Sequence, residues 1–213
     1  MKKTLNLAAI AFCGMAMLSL SSCLNGGNGG EEPKFKQITS AERTVMMNAI
    51  VGNYNGKLKF IKSLGDNKVD SVDIAWSVTA DTMLVIEKFP VRTLSGSVQA
   101  GEEMKRKLTA AEPAKVEMKL KLPGYMLENY YNQGYYLAGP IPGKDIDVKV
   151  GEQTGKLTFT QAIKSGQGNY QQVSQLLEYF KDRQVTRLLV ERITIDNQVY
   201  NVQAPFVLQG KKQ

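Results

Sequence analysis

Apolar and polar residues alternate along much of the chain, which is the pattern of β-strands with one buried face. The alternation begins at Leu58 and Phe60, returns from Val72 to Val78, and is most regular from Val116 to Leu122. Met83 to Phe89 is more continuously apolar, which indicates a strand covered on both faces. These runs predict an antiparallel meander with tight turns, the first of them at residues 65–67.

The second half of the chain predicts two further strand pairs. Ile146 to Val150 alternates in the same way and faces Leu157 to Phe159 across a glycine-bounded turn. Thr186 to Ile195 and Gln198 to Leu208 form the last pair, joined by an Asp-Asn turn. Pro205 predicts an edge position or a bulge in the final strand, because proline cannot donate a hydrogen bond to a neighbouring strand.

Three segments have helical patterns instead. Ser40 to Val51 follows a capping box formed by Thr39 and Glu42, and its apolar residues share one face. Val98 to Ala111 carries apolar residues at wider spacing and stops before a proline. Tyr170 to Lys181 is apolar on one side and follows an asparagine suited to an N-cap.

The count of elements predicts the fold class. About eight or nine strands and two or three short helices indicate a mainly antiparallel all-β domain, either a barrel or a sandwich, rather than a doubly wound sheet. We expect a single globular domain over residues 38–213, which is long enough to bury a core.

The first 22 residues have the three zones of a secretory signal peptide. Lys2 and Lys3 precede a mostly apolar run, and small residues lead to Cys23. The final stretch, Leu20-Ser21-Ser22-Cys23, resembles the lipobox of bacterial lipoproteins, in which cleavage before the cysteine exposes it for acylation. We therefore predict cleavage between Ser22 and Cys23 and lipidation of Cys23; the alternative is an ordinary signal peptide with an incidental cysteine.

Residues 23–37 are predicted to form a flexible tether. Four glycines and two asparagines follow Cys23 closely, and such a segment buries too little apolar surface to order itself. The predicted location is the cell envelope, with acyl chains on Cys23 in the outer membrane. Whether the domain lies on the periplasmic face or on the cell surface stays open.

The amino-acid composition excludes several kinds of catalytic and metal-binding site. The chain has no histidine and two cysteines, of which Cys13 leaves with the signal peptide and Cys23 takes the lipid. Disulfides, Cys/His metal sites, Ser-His-Asp triads and Cys-His dyads are therefore excluded from the mature domain. Neither a calcium-binding loop of the EF-hand type nor a phosphate-binding loop is present, so we predict no metal and no cofactor. Removal of Lys2 and Lys3 lowers the formal net charge from +7 to +5, which is too dispersed for a nucleic-acid partner.

Two stretches resemble known families. Ile50 to Leu58 contains Gly52-x-Tyr54-x-Gly56 and resembles the opening of calycin (lipocalin-like) domains, which implies a ligand-holding barrel. Asp70 to Val78, followed by Lys88 to Val91, is similar to Bacteroides lipoproteins that share a domain of unknown function (DUF4840). The second resemblance implies no activity and transfers no functional residue.

The most unusual segment is rich in tyrosine and amide side chains. Rings and hydroxyls beside amides suit a sugar or a protein partner; the alternative is a loop and edge strand whose rings close one end of the core. Trp76 lies on an apolar strand face and is predicted to be a core residue rather than a ligand platform. The candidate ligand or partner surface consists of Tyr125, Tyr130, Tyr131, Tyr135 and Tyr136.

Three functional hypotheses follow. The preferred one is a lipid-anchored, non-enzymatic domain that binds a small ligand or glycan in an apolar cavity. The second is a structural or interaction lipoprotein that docks another envelope protein through an exposed apolar patch over a filled core. The third, an enzyme, would be a hydrolase that uses two facing carboxylates.

Overall fold

The computed structural model describes residues 33–63, 68–165, 171–202 and 205–213. The predicted signal peptide, the predicted cleavage and lipidation site at Ser22 and Cys23, most of the predicted tether and the turn at residues 65–67 lie outside these ranges. Among the described residues, no helix is long and apolar enough to cross a membrane.

The described part of the chain is dominated by strands. The helices are α1 (Ser40–Ile50), a 3-10 helix (Val91–Gly96), α2 (Glu102–Thr109) and α3 (Glu128–Asn132). The strands are β1 (Phe35–Gln37), β2 (Gly52–Ser63), β3 (Lys68–Val78), β4 (Met83–Phe89), β5 (Ala114–Lys121), β6 (Tyr125–Leu127), β7 (Tyr136–Ile141), β8 (Ile146–Val150), β9 (Gln153–Phe159), β10 (Ala162–Ser165), β11 (Gln171–Ser174), β12 (Leu176–Phe180), β13 (Arg183–Ile195), β14 (Gln198–Asn201) and β15 (Pro205–Lys212).

Eight antiparallel strands close into a barrel, so the prediction of an all-β domain is confirmed and the barrel is the correct alternative. The strands β2, β3, β4, β5, β7, β12, β13 and β15 pair in the order of the sequence, and β15 returns to pair with β2. This is an up-and-down arrangement, in which closure leaves the eight strands without a free edge. Two short ribbons, β1–β6 and β10–β11, lie outside the barrel.

Strand β13 belongs to two sheets. Its first half pairs with β12 and β15 in the barrel, and its second half pairs with β9 and β14. The register shifts between Val190 and Arg192, where the strand leaves the barrel. A register shift of this kind bends a strand, which lets one long strand serve both sheets.

Helix α1 closes the end of the barrel where β2 begins. Thr39 and Glu42 form the predicted capping box, and Met46 and Ile50 are buried against the core. The Tyr54 hydroxyl donates a hydrogen bond to the carbonyl oxygen of Ile50, which fastens the helix to the first barrel strand. The prediction of this helix and its cap is confirmed, and we refer to this end as the α1 end.

The 3-10 helix packs at the opposite end of the barrel. Val91 and Leu94 are fully buried there. A Cβ atom at Gly96 would lie 2.2 Å from the carbonyl oxygen of Lys62, so glycine permits this close approach to β2. Sequence patterning missed this element because four of its six residues, Arg92, Thr93, Ser95 and Gly96, are small or polar.

The barrel interior is filled by side chains. Tyr54, Trp76, Phe89, Phe206 and Met118 are buried within one continuous core. The resemblance to calycin domains implied a barrel that holds its ligand inside, and the barrel is present with large side chains in that position.

The helix predicted over Tyr170–Lys181 is wrong wherever the structure describes that segment, since Gln171–Ser174 and Leu176–Phe180 are strands. Leu177 and Tyr179 point into the barrel at a spacing of two, and β12 joins β7 to β13. The spacing of the apolar residues fits both periods, and the pairing that closes the barrel decides between them. The proposed N-cap, Asn169, lies outside the described residues.

Three boundaries also differ from prediction. The second helix begins at Glu102 rather than Val98, because Val98 forms a β-bridge with Val202 instead. The final strand is divided into β14 and β15, and Pro205 begins β15 opposite Leu189. The ordered domain begins before residue 38, since Phe35–Gln37 of the predicted tether is paired with β6.

Candidate functional site

The tyrosine segment does not form one surface. Tyr125 lies on β6, Tyr130 and Tyr131 lie on α3, and Tyr135 and Tyr136 lie at the start of β7. Tyr125 is 64% exposed, whereas Tyr136 is buried and the other three are half-buried. The structure therefore separates Tyr125 from the remaining four.

Most rings of this segment pack against other rings of the protein. Tyr136 is stacked on Tyr179 with centroids 6.3 Å apart, and the pair belongs to the core at the α1 end. Tyr130 lies 4.9 Å from Tyr135, whose ring also meets Phe180 at 6.1 Å. Such contacts stabilise the fold and occupy ring surface that a sugar would need.

Tyr135 also covers a buried carboxylate. Its hydroxyl donates a hydrogen bond of 2.5 Å to Oε2 of Glu178, a residue that is only 8% exposed. Burial, together with this hydrogen bond, raises the pKa of Tyr135 above its ordinary value, so the hydroxyl stays protonated as the donor. Burial likewise raises the pKa of Tyr54 in the core.

A charged network joins β1 to α1 and α3. Lys36 lies 4.4 Å above the ring centroid of Tyr131 and donates a hydrogen bond of 2.5 Å to Glu42. Glu42 also accepts a hydrogen bond from the backbone N–H of Thr39. The bonds from Lys36 and Thr39 lower the pKa of Glu42 to about 2, so the carboxylate remains charged at neutral pH.

A groove of about 410 Å³ opens on the outer wall of the barrel where β7 and β12 separate. The two strands pair over Tyr136 to Ala138, while Gly139 to Ile141 pair with β5 on the other side. Side chains alternate along β7, so Leu137 and Ile141 point outward, away from the core. The β7–β12 groove is lined by Lys121, Leu122, Leu137, Ile141, Gln175 and Leu176, among others.

Gln175 lines this groove and carries a buried, unpaired acceptor. The residue is 5% exposed, and its Nε2 donates a hydrogen bond of 2.6 Å to the carbonyl oxygen of Thr160. Its backbone N–H donates to the carbonyl oxygen of Gln161, which fixes the residue at the base of the β10–β11 ribbon. Within the described ranges its Oε1 has no hydrogen-bond partner in the protein. Buried polar atoms are rarely left unpaired, so this oxygen is an unusual feature of a residue that lines the groove.

Two further polar side chains lie inside the filled barrel. Gln184 accepts a hydrogen bond from the indole N–H of Trp76, and neither Gln184 Nε2 nor Thr186 Oγ1 has a partner in the described part of the protein. The prediction that Trp76 is a core residue is confirmed, since its ring is buried and stacked on Tyr54. These groups are enclosed by core side chains and do not line the groove.

Charged side chains of the described residues do not assemble into a metal site, because no group of three or more acidic or cysteine residues lies together. Several of their ion pairs are exposed, as for Lys57 with Asp73 and for Lys115 with Glu117. Exposed pairs of this type contribute little to stability. Within the described ranges, the β7–β12 groove combines an apolar wall with a buried polar residue, Gln175.

A family model matches residues 49–207, from the end of α1 to the middle of β15. The family is described as a domain of unknown function (DUF4840). The chain belongs to this family. The match includes nearly all of the barrel and the β7–β12 groove, whereas β1 lies before it. Searches of curated proteins and of solved structures found no match.

Sequence reasoning did not find the groove of this DUF4840 domain. Leu137 and Ile141 lie in a segment without a clear period, and the sequence pattern around Gln175 predicts a helix. The hydrophobic side chains of Leu137 and Ile141 on outward positions of β7 would have been a usable signal, because an isolated outer strand face normally carries polar residues. The unpaired oxygen of Gln175 has no signal in the sequence, since pairing depends on the folded neighbours.

Proposed function

We propose that this protein is a lipid-anchored, non-enzymatic binding domain of the bacterial cell envelope, which holds a small ligand in the β7–β12 groove. The observation that carries the proposal is the buried, unpaired Oε1 of Gln175 beside aliphatic walls. A volume of about 410 Å³ lies within the range of about 300–1,000 Å³ typical of ligand sites.

The chemistry of the groove defines the ligand. Leu137, Ile141 and Leu176 would contact an apolar body, whose removal from water favours binding. The amide oxygen of Gln175 requires an O–H or N–H donor on that body, because it would otherwise stay unpaired. A compact amphiphile with one donor satisfies both conditions better than an unsubstituted sugar, whose surface is mostly polar.

The proposed anchor is the acylated Cys23 predicted by the lipobox. Two or more acyl chains would hold the protein durably, since one chain binds a membrane only marginally. The outer membrane is the proposed location, and the glycine-rich segment that follows Cys23 would connect the acylated residue to the barrel.

Native mass spectrometry of the mature protein, purified in detergent from the envelope of its own host, tests both the bound ligand and the acylation of Cys23. A bound ligand would add a few hundred daltons that are lost on denaturation, whereas acylation of Cys23 would add a mass that survives it. A protein that carries the acyl mass without any exchangeable ligand, even after incubation with an envelope lipid extract, would contradict the binding function and leave the anchor intact.

A second candidate function is an interaction lipoprotein that docks another envelope protein. The filled barrel and the exposed side chains of Phe35 and Tyr125 support it. Crosslinking from position 125 in intact cells would then give a defined heteromeric product, and absence of that product would count against this candidate.

A further inference from the structure

The β1–β6 ribbon has one buried and one exposed face. Met126 is buried in the core, and Lys36 on the same side bonds to Glu42. Phe35 pairs with Leu127, and Tyr125 lies two residues before Leu127, so these three side chains share the outward face. Phe35 is 68% exposed and Tyr125 is 64% exposed, the two largest exposed apolar side chains among the described residues.

The short distance along the chain between Cys23 and β1 limits how far this face can lie from the membrane. Phe35 is the twelfth residue after Cys23, the proposed lipidated residue. Even fully extended, twelve residues span at most about 40 Å, and a glycine-rich coil of that length has a typical end-to-end distance of about 20 Å. Because β1 is the first strand after the proposed anchor, its outward face is held within that distance of the membrane surface.

The side chains on this face suit a bilayer interface. Aromatic rings with an apolar body and a polar tip settle at the level of the lipid head groups, as tyrosine does. Lys34 is exposed next to Phe35 and can extend its ammonium group toward lipid phosphates. A face that only met water would gain nothing from two large exposed rings.

We propose that the Phe35, Tyr125 and Leu127 face rests on the phospholipid surface that holds Cys23, so that the α1 end of the barrel points toward the membrane. This inference rests on the proposed anchor but not on the proposed ligand. It places the β1–β6 ribbon in the interface and leaves the opposite end of the barrel, near Val199 of β14, away from the lipid.

Tryptophan quenching in the lipidated protein tests this orientation. The single native tryptophan, Trp76, is buried and gives a constant background. Tyr125→Trp places a reporter on the proposed face, and Val199→Trp places a matched reporter at a position that is 58% exposed on the far side. Each full mature protein is reconstituted into vesicles of phosphatidylethanolamine and phosphatidylglycerol, with or without brominated acyl chains.

We expect the Tyr125→Trp signal to be quenched several-fold more strongly by brominated lipid than the Val199→Trp signal, and to shift to shorter wavelength in vesicles. Phe35→Trp should behave like Tyr125→Trp. Equal quenching of the two reporters, or no quenching at position 125, would overturn the inference and assign this face to a protein partner or to water. The mass of the acylated protein and its ligand adduct are read separately, so failure here leaves the binding function standing.

Discussion

The indole N–H of Trp76 donates a hydrogen bond to the side-chain oxygen of Gln184 across the interior of the barrel. The two residues lie on β3 and β13, which are separated in the barrel by β2 and β15. The same indole ring is stacked on Tyr54, with centroids 5.6 Å apart and planes 7° from parallel. Trp76 thus links strands that do not pair with each other and fixes the filled core.

Replacement of Trp76 by phenylalanine should destabilise the protein strongly. The change leaves Gln184 Oε1 without its donor and opens space in a closely packed core, so we expect the free energy of unfolding to fall by about 2–4 kcal/mol. Urea unfolding followed by circular dichroism measures it without the lost fluorophore. Val199→Ala on exposed β14 is the control and should change the value by less than about 0.5 kcal/mol; an equal effect of both changes would refute this role for Trp76.

Gly56→Ala should disrupt the pairing of β2 with β15. A Cβ atom at Gly56 would lie 2.1 Å from the carbonyl oxygen of Gln209 and 2.5 Å from Cα of Gly210, which are backbone atoms that cannot move independently. We expect a loss of about 1–3 kcal/mol in the free energy of unfolding, the usual cost of overpacking. In Gly124→Ala, where no atom lies within 4 Å of the added carbon, stability should be nearly unchanged. If Gly56→Ala were as stable as Gly124→Ala, the close approach would be incorrect.

Acid should weaken the link between β1 and α1. The pKa of Glu42 is lowered to about 2 in the folded state, whereas its value in the unfolded chain is about 4.3. The stabilising contribution of Glu42 is therefore complete above a pH of about 4.3. The contribution is lost as the pH falls from about 4.3 to about 2. In Glu42→Gln the decline of stability over this range should be shallower, whereas Glu103→Gln, at an exposed pair with Lys107, should leave it as in the wild type. The measurement is the unfolding midpoint at a series of acid pH values. If Glu42→Gln followed the wild-type curve, the stabilising link between β1 and α1 through Glu42 would be disproved.

Strands whose two faces meet different environments were predictable from the sequence. β5 alternates between lysine or glutamate and apolar residues, and its burial alternates in step. The capping box at Thr39 is a local feature, formed within four residues, so it too was read correctly. Where a segment is apolar at both helical and strand spacing, as in Leu176–Phe180, the neighbouring strands determine the outcome.

The candidate site was harder to predict because it depends on where two strands separate. Leu137 and Leu176 are distant in the chain and become groove walls only when β7 and β12 part beyond Ala138. The tyrosines stand out in the sequence, but their ring contacts with Tyr179 and Phe180 depend on the fold of a segment whose pattern predicts a helix.

The central claim is that the β7–β12 groove binds a ligand, and a comparison of variants by native mass spectrometry tests it most directly. Ile141→Glu puts a charge on the groove wall opposite Lys119, a cross-strand position that can accommodate it. Gln175→Leu removes the unpaired acceptor, and Val199→Glu adds the same charge on β14, far from the groove.

We expect the ligand adduct to persist in the wild type and in Val199→Glu, to weaken by about 2- to 12-fold in Gln175→Leu, and to fall at least about tenfold in Ile141→Glu. Circular dichroism confirms that each variant is folded. An adduct retained at the wild-type level in folded Ile141→Glu would contradict the account, because the ligand would then lie elsewhere.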